Sequence, residues 1–226
     1  MSEPFSDSQV LRSWEANARP WIGVIRDDRI ESRRLVTNAA IIDAVVDRRA
    51  RSALDIGCGE GWLARELSAM DIHTIGVDAI PELIEHARTL GPGDFRVASY
   101  EDIVTGALDV TVDVAVANFS LIGREAVDAL IHYSPRLLNP GGALVIQTLH
   151  PVIASADAPY VDGWREGSWT GIDGEFRDAP PWYFRTLSTW FTLLRASGLF
   201  VSRLLEPVHP VTRKPLSVIF VASVSS

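Results

Sequence analysis

One short segment constrains the fold of this chain more than any other, an apolar run that stops at three closely spaced glycines. Residues 52–56 are mostly apolar, the turn at residues 57–61 follows, and a stretch with helical spacing begins at Trp62. Glycines at alternate positions permit positive φ angles and let a ligand approach the backbone closely. The segment therefore predicts a strand, a tight turn and a helix whose amino terminus offers unpaired N–H groups to an anionic or carboxylate-bearing ligand.

The same alternation of strands and helices continues along the chain. Further strands are predicted at residues 73–78, 95–99, 110–118 and 143–149, and helices at 62–70, 81–90 and 125–138. Parallel neighbours need long crossover connections, which these helices supply. After a helix at 185–197, strands at 199–205 and 216–224 are joined by a loop too short for a crossover, so this pair is expected to be antiparallel. We predict an α/β fold with helices on both faces of a mostly parallel sheet.

Composition restricts the function. The chain has 226 residues, enough for one core, and a formal net charge of −8, so its long-range field repels a phosphate backbone. Its single cysteine, Cys58, cannot form an intrachain disulfide, and no cluster of metal-ligand type surrounds it. Residues 1–7 lack the pattern of a signal peptide, and no apolar run is long enough to span a membrane. We expect a cytoplasmic protein that acts on a small molecule, without metal, nucleic acid or membrane, and of undetermined oligomeric state.

Four loops are predicted to share one ligand. In an open α/β sheet, ligands bind beyond the carboxyl ends of the strands, where residues 57–61, 99–102 and 118–122 should converge with Asp78. The carboxylate of Asp78, at the end of the second strand, can accept hydrogen bonds from both hydroxyls of an adenosine ribose and would repel a 2′-phosphate. The glycine turn and this carboxylate together indicate an adenosine-containing ligand.

Residues 54–61, Leu-Asp-Ile-Gly-Cys-Gly-Glu-Gly, resemble the first motif of class I S-adenosylmethionine-dependent methyltransferases. Asp78 matches the acidic end of that family's second strand, and residues 139–142, Asn-Pro-Gly-Gly, resemble the turn before its fifth strand. The resemblance covers roughly residues 51–226 and implies a Rossmann-like seven-stranded sheet, S-adenosylmethionine as cofactor and methylation of a small molecule. Residues 185–207 resemble small-molecule methyltransferases of the quinone-biosynthesis type.

The resemblance also assigns roles around the glycine turn and the second strand. It implies that Gly57, Cys58 and Gly59 face the methionine part of the cofactor, and that Asp55 orders either the turn or the amino group. Asp78 and Ile80 would hold ribose and adenine. These assignments together place one cofactor across the ends of the first two strands.

The loops after the third and fourth strands have less certain counterparts in that family. Ser99 stands where the family often has an aspartate, so either Tyr100 or Glu101 is expected to contact adenine. After the fourth strand, Asn118, Phe119 and Ser120 would lie between cofactor and acceptor. The Asn/Asp-Pro-Pro-Tyr/Phe signature is absent there, which argues against methylation of nucleic-acid bases.

Methyl transfer requires mainly alignment and exclusion of water, but an oxygen or nitrogen nucleophile that carries a proton also needs a base. His150, at the end of the fifth strand, is the first candidate, followed by His209 and Glu206. A lone loop histidine is more commonly a hydrogen-bonding surface residue, which is the alternative interpretation.

Two segments are interpreted as covers of one domain spanning residues 1–226. Residues 1–50 form a helical cap, which contains a short helix at 10–21 that Pro20 ends and a longer helix at 28–49. Residues 150–184 form an inserted lid. Their aromatic residues would either cover an apolar or aromatic substrate or pack as core: Trp14, Trp21, Trp164, Trp169, Trp182 and Tyr183. Arg33 and Arg34 either reach the cofactor carboxylate or belong to a solvated helix face.

Two other functions compete with methyl transfer. An NAD-dependent Rossmann oxidoreductase also needs glycines and an acidic second strand, but the Gly-x-Gly-x-Gly spacing and the absence of a Tyr-x-x-x-Lys pair argue against it. A non-catalytic S-adenosylmethionine-binding protein would keep the cofactor residues, and only an assay distinguishes it from an enzyme.

Overall fold

The structure, a computed structural model, describes residues 5–224. Residues 1–4, which belong to the amino-terminal segment used in the signal-peptide argument and to the helical cap, lie outside the described residues, as do residues 225–226. Within the described part of the chain, no helix is both long and apolar enough to cross a membrane.

A seven-stranded sheet lies at the centre of the fold. Its strands are β1 (Ser52–Ile56), β2 (His73–Asp78), β3 (Asp94–Val97), β4 (Val112–Asn118), β5 (Leu138–Leu149), β8 (Leu199–Leu205) and β9 (Ser217–Val224). The spatial order is β3-β2-β1-β4-β5-β9-β8. The first five strands are parallel, while β9 pairs antiparallel with both β5 and β8. The predicted Rossmann-like sheet with a carboxy-terminal antiparallel hairpin is confirmed.

Helices cover both faces of the sheet and continue beyond its ends. They are α1 (Asp7–Arg26), α2 (Asn38–Val46), α3 (Trp62–Ala69), α4 (Pro81–Thr89), α5 (Tyr100–Val104), α6 (Glu125–Tyr133), α7 (Pro151–Ala154) and α8 (Leu187–Ala196). A π-helical turn at Arg33–Thr37 precedes α2, and a 3-10 helix at Ser134–Leu137 follows α6. The segment predicted as a lid contains, besides α7, only the short antiparallel pair β6 (Gly163–Arg165) and β7 (Trp182–Phe184).

The near-continuous apolar sequence of β4 reflects burial on both faces of the strand. Val112, Ala115 and Ala117 pack into the layer that includes α6 and α8, whereas Val114 and Val116 pack into the layer that includes α2 and α3. Such two-sided burial is typical of a central parallel strand. It fixes β4 in the middle of the sheet, between β1 and β5.

Two helices of the amino-terminal region differ from the prediction. α1 continues through Pro20, where the sequence predicted its end. A proline inside a helix costs about 3 kcal/mol, and the packing of Ala18 against Ile80 and Leu83 opposes that cost. The helix predicted at 28–49 is present at residues 31–46, with a π-helical turn at Arg33–Thr37 directly before α2.

Two other differences have local causes. β5 begins before the predicted residue 143 because Leu138 already pairs with Val112, ahead of a register shift. The helix α5 was not predicted, although Ser99 and Asp102 form a reciprocal capping box at its start. The Ser-x-x-Asp spacing was a sequence signal for this short helix.

The start of α1 is anchored to a different helix. The carboxylate of Asp7 accepts hydrogen bonds from the N–H groups of Arg124 (2.6 Å) and Ala126 (2.7 Å), at the amino terminus of α6. Gly123 makes this approach possible, since a Cβ there would lie 2.4 Å from Asp7 Oδ1. Asp7 thus caps α6 from more than a hundred residues away in sequence.

Replacing this distant cap should destabilise the protein. For Asp7→Ala we expect the free energy of unfolding to fall by about 0.5–2 kcal/mol, because the first N–H groups of α6 lose their charged acceptor. Urea denaturation measures the change. Glu15→Ala removes the same charge from an exposed position of α1 and should change little; equal effects of both substitutions would contradict the capping role.

Candidate functional site

The glycine turn after β1 adopts the backbone that its sequence predicted. Gly57 and Gly59 have φ angles of +72° and +59°, in the left-handed region that favours glycine. A Cβ on Gly57 would lie 2.4 Å from the Cβ of Ser120, so the loop after β4 packs directly on the turn. At Gly59 the nearest atom would be Trp21 Nε1 at 3.8 Å, which leaves room above the turn.

Asp78 connects the end of β2 to this turn. Its Oδ2 accepts the N–H of Gly59 at 2.9 Å, and its Oδ1 accepts the N–H of Ile80 at 2.9 Å. Burial raises the pKa of Asp78, and the hydrogen bonds from Ile80 and Gly59 oppose that rise. Each carboxylate oxygen has a second lone pair, so the group can accept further hydrogen bonds from a ligand.

Asp55 is a buried carboxylate beneath the turn. Its side chain is 1% exposed, and it accepts a hydrogen bond from the backbone of Ala64 in α3. Its Oδ2 is buried without a hydrogen-bond partner among the described residues. Desolvation, followed by the charges of Glu60 and Asp78, raises the pKa of Asp55 to about 8. A cationic group arriving here would favour the ionised form.

Two arginines lie beside these carboxylates. Glu60 is buried and pairs with Arg65 at 3.1 Å, yet its Oε1 has no hydrogen-bond partner in the described structure, and burial raises its pKa. The guanidinium of Arg33 lies 4.9 Å from the ring centroid of Trp62 and 5.9 Å from that of Trp21. Burial lowers the pKa of Arg33, while Arg34 is exposed. Of Arg33 and Arg34, the two arginines considered in the sequence analysis, Arg33 is therefore the one that lies near the glycine turn.

The loops after β3 and β4 meet at Ser120. The hydroxyl of Tyr100 donates to the carbonyl of Ser120 at 3.0 Å, and the hydroxyl of Ser120 donates to the carbonyl of Ile56 at 2.6 Å. Burial raises the pKa of Tyr100, so its hydroxyl stays protonated. Glu101 is exposed. Of the two candidates for contact with adenine, Tyr100 is the one that the fold brings to the turn.

Asn118 and Phe119 form a bend at the end of β4. The N–H of Phe119 donates to the carbonyl of Gln147 at 2.8 Å, and Phe119 has a φ of +55°, a region that non-glycine residues seldom adopt. The Oδ1 of Asn118 is buried without a partner among the described residues. Strained backbone of this kind concentrates at functional sites, where surrounding structure holds it.

Cys58 faces the layer of α3 and α4. It packs with Ala64, Ile84 and Phe95 in a small apolar cluster. Burial raises the pKa of its thiol, and the nearest carboxylate, Asp55, acts in the same direction. The thiol therefore stays protonated, and Cys58 acts as a small turn residue through its backbone.

The three candidate bases do not form one group. Nε2 of His150 lies 2.7 Å from Oε1 of Glu206, so these two are paired across the hairpin. His209 instead accepts the N–H groups of Val211 (3.2 Å) and Thr212 (3.1 Å) through Nδ1, within its own loop. The described contacts of His209 stabilise a turn.

Comparison with known proteins agrees with this geometry. Residues 54–146 match a family described as a methyltransferase domain. The ubiquinone biosynthesis O-methyltransferase of Xanthomonas oryzae pv. oryzae (strain PXO99A) is 32% identical over 118 residues, which cover 48% of this chain and 47% of that protein. The protein of that description from Xylella fastidiosa (strain M23) is 31% identical over 110 residues, covering 45% and 43%. These similarities support a class I S-adenosylmethionine-dependent methyltransferase. It matches less than half the length of these curated relatives.

Solved structures share the fold. A putative S-adenosylmethionine-dependent methyltransferase from Listeria monocytogenes superposes with a TM-score of 0.64 at 17% identity, covering 83% of this chain and all of that one (100%). A structure described as a DhpI-SAM-HEP complex gives a TM-score of 0.66 at 16% identity, covering 98% and 99%. S-adenosylmethionine is the cofactor of this methyltransferase family, and the residues at the turn suit it: carboxylates for its cationic groups and hydroxyls, and Arg33 for its carboxylate.

The aromatic residues of this methyltransferase domain separate into two clusters. The first joins α1 to the insertion: the ring centroids of Trp14 and Trp169 lie 5.7 Å apart, those of Trp14 and Trp21 5.1 Å, and Phe176 stacks on Trp169 at 4.2 Å. The second lies around β6 and β7, and consists of Tyr160, Trp164, Trp182, Tyr183 and Phe184. The first cluster is the one next to the glycine turn, through Trp21.

Polar residues that the sequence analysis did not single out hold the first cluster in place. Asn17 is fully buried, and its side-chain amide donates to the carbonyl of Arg177 (2.7 Å) and accepts the N–H of the same residue (2.8 Å). Ser13 donates to the carbonyl of Asp178 at 2.5 Å. Asparagine has low helix propensity, so Asn17 inside a helix was a sequence signal for such a tertiary contact.

The raised pKa of Asp55 predicts how stability depends on pH. Between its ordinary value of 3.8 and about 8, the folded protein holds a proton on Asp55 that the unfolded chain releases. The contribution of Asp55 to the free energy of unfolding is therefore present at low pH and is lost as the pH rises toward 8. In urea denaturation without cofactor, Asp55→Asn should remove that decline, while Asp109→Asn, at an exposed position, should keep it. Identical pH profiles for wild type and Asp55→Asn would contradict the raised pKa.

Proposed function

We propose that this protein transfers the methyl group of S-adenosylmethionine to a small, apolar or aromatic molecule. The observation that carries the proposal is the carboxylate of Asp78 held at 2.9 Å by the N–H of Gly59, at a turn surrounded by further buried carboxylates. This arrangement suits an adenosine ribose together with a cationic amino acid moiety. When bound, the cofactor supplies a methyl group that its sulfonium has already activated.

The residues of the chain would then bind, orient and exclude water. Asp78 would accept the ribose hydroxyls, Ile80 and Tyr100 would flank the adenine, and Asp55 would pair with the amino group. Arg33, poised over Trp21 and Trp62, would pair with the carboxylate of the cofactor. Alignment of this kind supplies most of what methyl transfer requires of a protein.

The glycine turn and the loop after β4 complete the proposed cofactor site. The backbone of Gly57, Cys58 and Gly59 would contact the methionine part, while Asn118 and Phe119 would separate it from the acceptor. Ser120 supports the turn from below through its hydrogen bond to the carbonyl of Ile56. Glu101 lies next to Tyr100 in α5 with its side chain exposed, and it stays the second candidate for contact with adenine.

The match to a methyltransferase family favours transfer over the oxidoreductase alternative. An NAD-dependent oxidoreductase finds no support in the comparisons, which name methyltransferases. A binding protein that has lost catalysis would keep the same cofactor residues, so activity must be measured. The relatives named as ubiquinone biosynthesis O-methyltransferases favour a small hydroxylated acceptor.

Binding and transfer can be tested separately. By calorimetry, S-adenosylhomocysteine should bind while NAD and NADP do not. Asp78→Ala should raise the dissociation constant at least about tenfold, because a charge-assisted hydrogen-bonding group contributes roughly 1.5–3 kcal/mol. Asp109→Ala, at an exposed position, is the matched control.

Incubation with methyl-labelled cofactor and a metabolite extract should then label a product. Tight NAD binding without a response to S-adenosylhomocysteine would refute the assignment.

We also propose that α1 and residues 150–184 act together as a cover over the acceptor. The aromatic residues of the first cluster are only partly buried, as is expected of a cover rather than of a core. Asn17 and the pair Trp14–Trp169 join the two segments across the site. A closed cover would exclude water during transfer, and such segments move in microseconds to milliseconds.

Weakening this junction should affect turnover more than cofactor affinity. Trp169→Ala removes an aromatic pair worth about 0.5–1.5 kcal/mol beyond its buried area, so amide hydrogen exchange across residues 166–181 should accelerate and acceptor turnover should fall. Affinity for S-adenosylhomocysteine should stay close to wild type. Phe200→Ala, on the exposed edge strand β8, is the control. A large loss of global stability in Trp169→Ala would show instead that the cluster is core.

A further inference from the structure

The hydrogen bond between His150 and Glu206 uses one ring nitrogen of the histidine and leaves the other buried and unpaired among the described residues. The imidazole is 4% exposed, its Nε2 lies 2.7 Å from the carboxylate of Glu206, and its Nδ1 is buried without a hydrogen-bond partner among the described residues. A carboxylate only accepts hydrogen bonds, so Nε2 carries a proton, and in the neutral tautomer this leaves Nδ1 as an acceptor. Leaving a buried polar atom unpaired is unfavourable, which favours a ligand that donates to it.

The sheet topology places this pair at the same edge as the proposed cofactor site. β5 runs parallel to β4 and ends at Leu149, immediately before His150. β8 ends at Leu205, immediately before Glu206, and runs in the same direction because both β5 and β8 are antiparallel to β9. Both residues therefore leave the sheet where Asn118 leaves β4, on the side away from Asp78.

Two more unpaired acceptors lie along this edge. Asn118 and Gln147 lie opposite each other on the paired strands β4 and β5. The Oδ1 of Asn118 and the Oε1 of Gln147 are both buried without a hydrogen-bond partner in the described structure. Each of these two residues lies two positions after a valine that packs in the layer containing α2 and α3. Because side chains alternate between the two faces of a strand, Asn118 and Gln147 lie on that same face of the sheet. Nε2 of Gln147 donates to Ser217 at 2.9 Å, which fixes the orientation of that amide. The ends of two neighbouring strands, β4 and β5, thus carry three acceptors that lack a donor among the described residues.

We infer that the methyl acceptor is a hydroxyl-bearing molecule, that Nδ1 of His150 takes the hydroxyl proton, and that Glu206 is the positioning residue that holds the ring. The inference rests on the proposed function, since it describes the acceptor side of the same transfer. A row of unpaired acceptors is matched by a ligand rich in O–H donors. An ammonium group would also donate to these acceptors, and the atom that carries the transferred methyl group distinguishes it from a hydroxyl.

The step balances in protons and electrons. The acceptor oxygen forms a bond to the methyl carbon while the carbon–sulfur bond breaks and its electron pair stays on sulfur. The hydroxyl proton passes to Nδ1 of His150, whose imidazolium is stabilised by the carboxylate of Glu206 and later releases the proton to solvent. A positioned general base of this type typically contributes about 10²–10⁴-fold to the rate, and a carboxylate on the opposite nitrogen fixes the tautomer.

The backbone around His150 is suited to holding the ring still. The residue is at the cap position of α7, and its carbonyl accepts the N–H groups of Ile153 (2.9 Å) and Ala154 (2.8 Å). Pro151 follows directly and restricts the chain further. Only the partner on Nδ1 is left for a ligand to supply.

The experiment uses three variants and two kinds of measurement. In the labelled-cofactor assay, the transferred methyl should be on oxygen in the product, and His150→Ala should lower kcat at least about 100-fold with S-adenosylhomocysteine affinity unchanged. Glu206→Gln should lower kcat more than it raises KM. His132→Ala, which removes an exposed imidazole from α6, should behave as wild type.

A spectroscopic measurement separates positioning from mere structure. In nitrogen-15 spectra of the full chain with S-adenosylhomocysteine bound, His150 should show an unprotonated Nδ1 that shifts when catechol is added as a probe, and Glu206→Gln should mix the two tautomers. A methyl group found on nitrogen, carbon or sulfur, near-normal turnover by His150→Ala, or a protonated Nδ1 would overturn the inference. Failure of wild type to bind S-adenosylhomocysteine, or binding with no labelled product, would refute the proposed function itself.

Discussion

The carboxylate of Asp78 connects the two strand ends on which the cofactor site depends. It accepts one N–H from the glycine turn after β1 and one from the residue before α4, so β1 and β2 share a single anchor at their carboxyl ends. Hydrogen bonds to an ionised acceptor are shorter and stronger than neutral ones. Here they also oppose the desolvation that raises the pKa of Asp78. The loop after β4 then packs on this turn through Ser120.

The two halves of the sheet edge at the carboxyl ends of the parallel strands differ in the kind of polar group that is buried there. Around the glycine turn, Asp55, Glu60 and Asp78 are buried close together, and desolvation raises the pKa of each. Such a cluster is costly in the absence of a cation, and Arg33 and Arg65 compensate only part of it. At the ends of β4 and β5, by contrast, the unpaired groups are neutral acceptors. A cationic ligand on one side and a hydroxylated one on the other would satisfy both halves.

Much of the fold and of the cofactor loops could be predicted because the signals are local. The bounds of β1, β2 and β8 match those expected, since each apolar run is bounded by residues that end a strand. The acceptor side was harder to predict. The sequence placed His150 ahead of His209 and Glu206 as a candidate base, but only the tertiary structure pairs His150 with Glu206 and leaves His209 in its own turn. The candidate aromatics likewise gave no indication that they belong to two clusters.

The strands of the central sheet, the glycine turn and the acidic end of β2 follow from the amino-acid sequence alone, because they depend on backbone conformation and on the periodicity of burial within a few residues. The tertiary structure decided what distant residues do to one another. It carries α1 through Pro20 by packing on α4, lets Asp7 cap α6, and joins Asn17 to the insertion. The energies of these contacts exist only once the sheet brings the partners together, so a local pattern such as Asn17 within a helix can signal a contact but does not identify its partner.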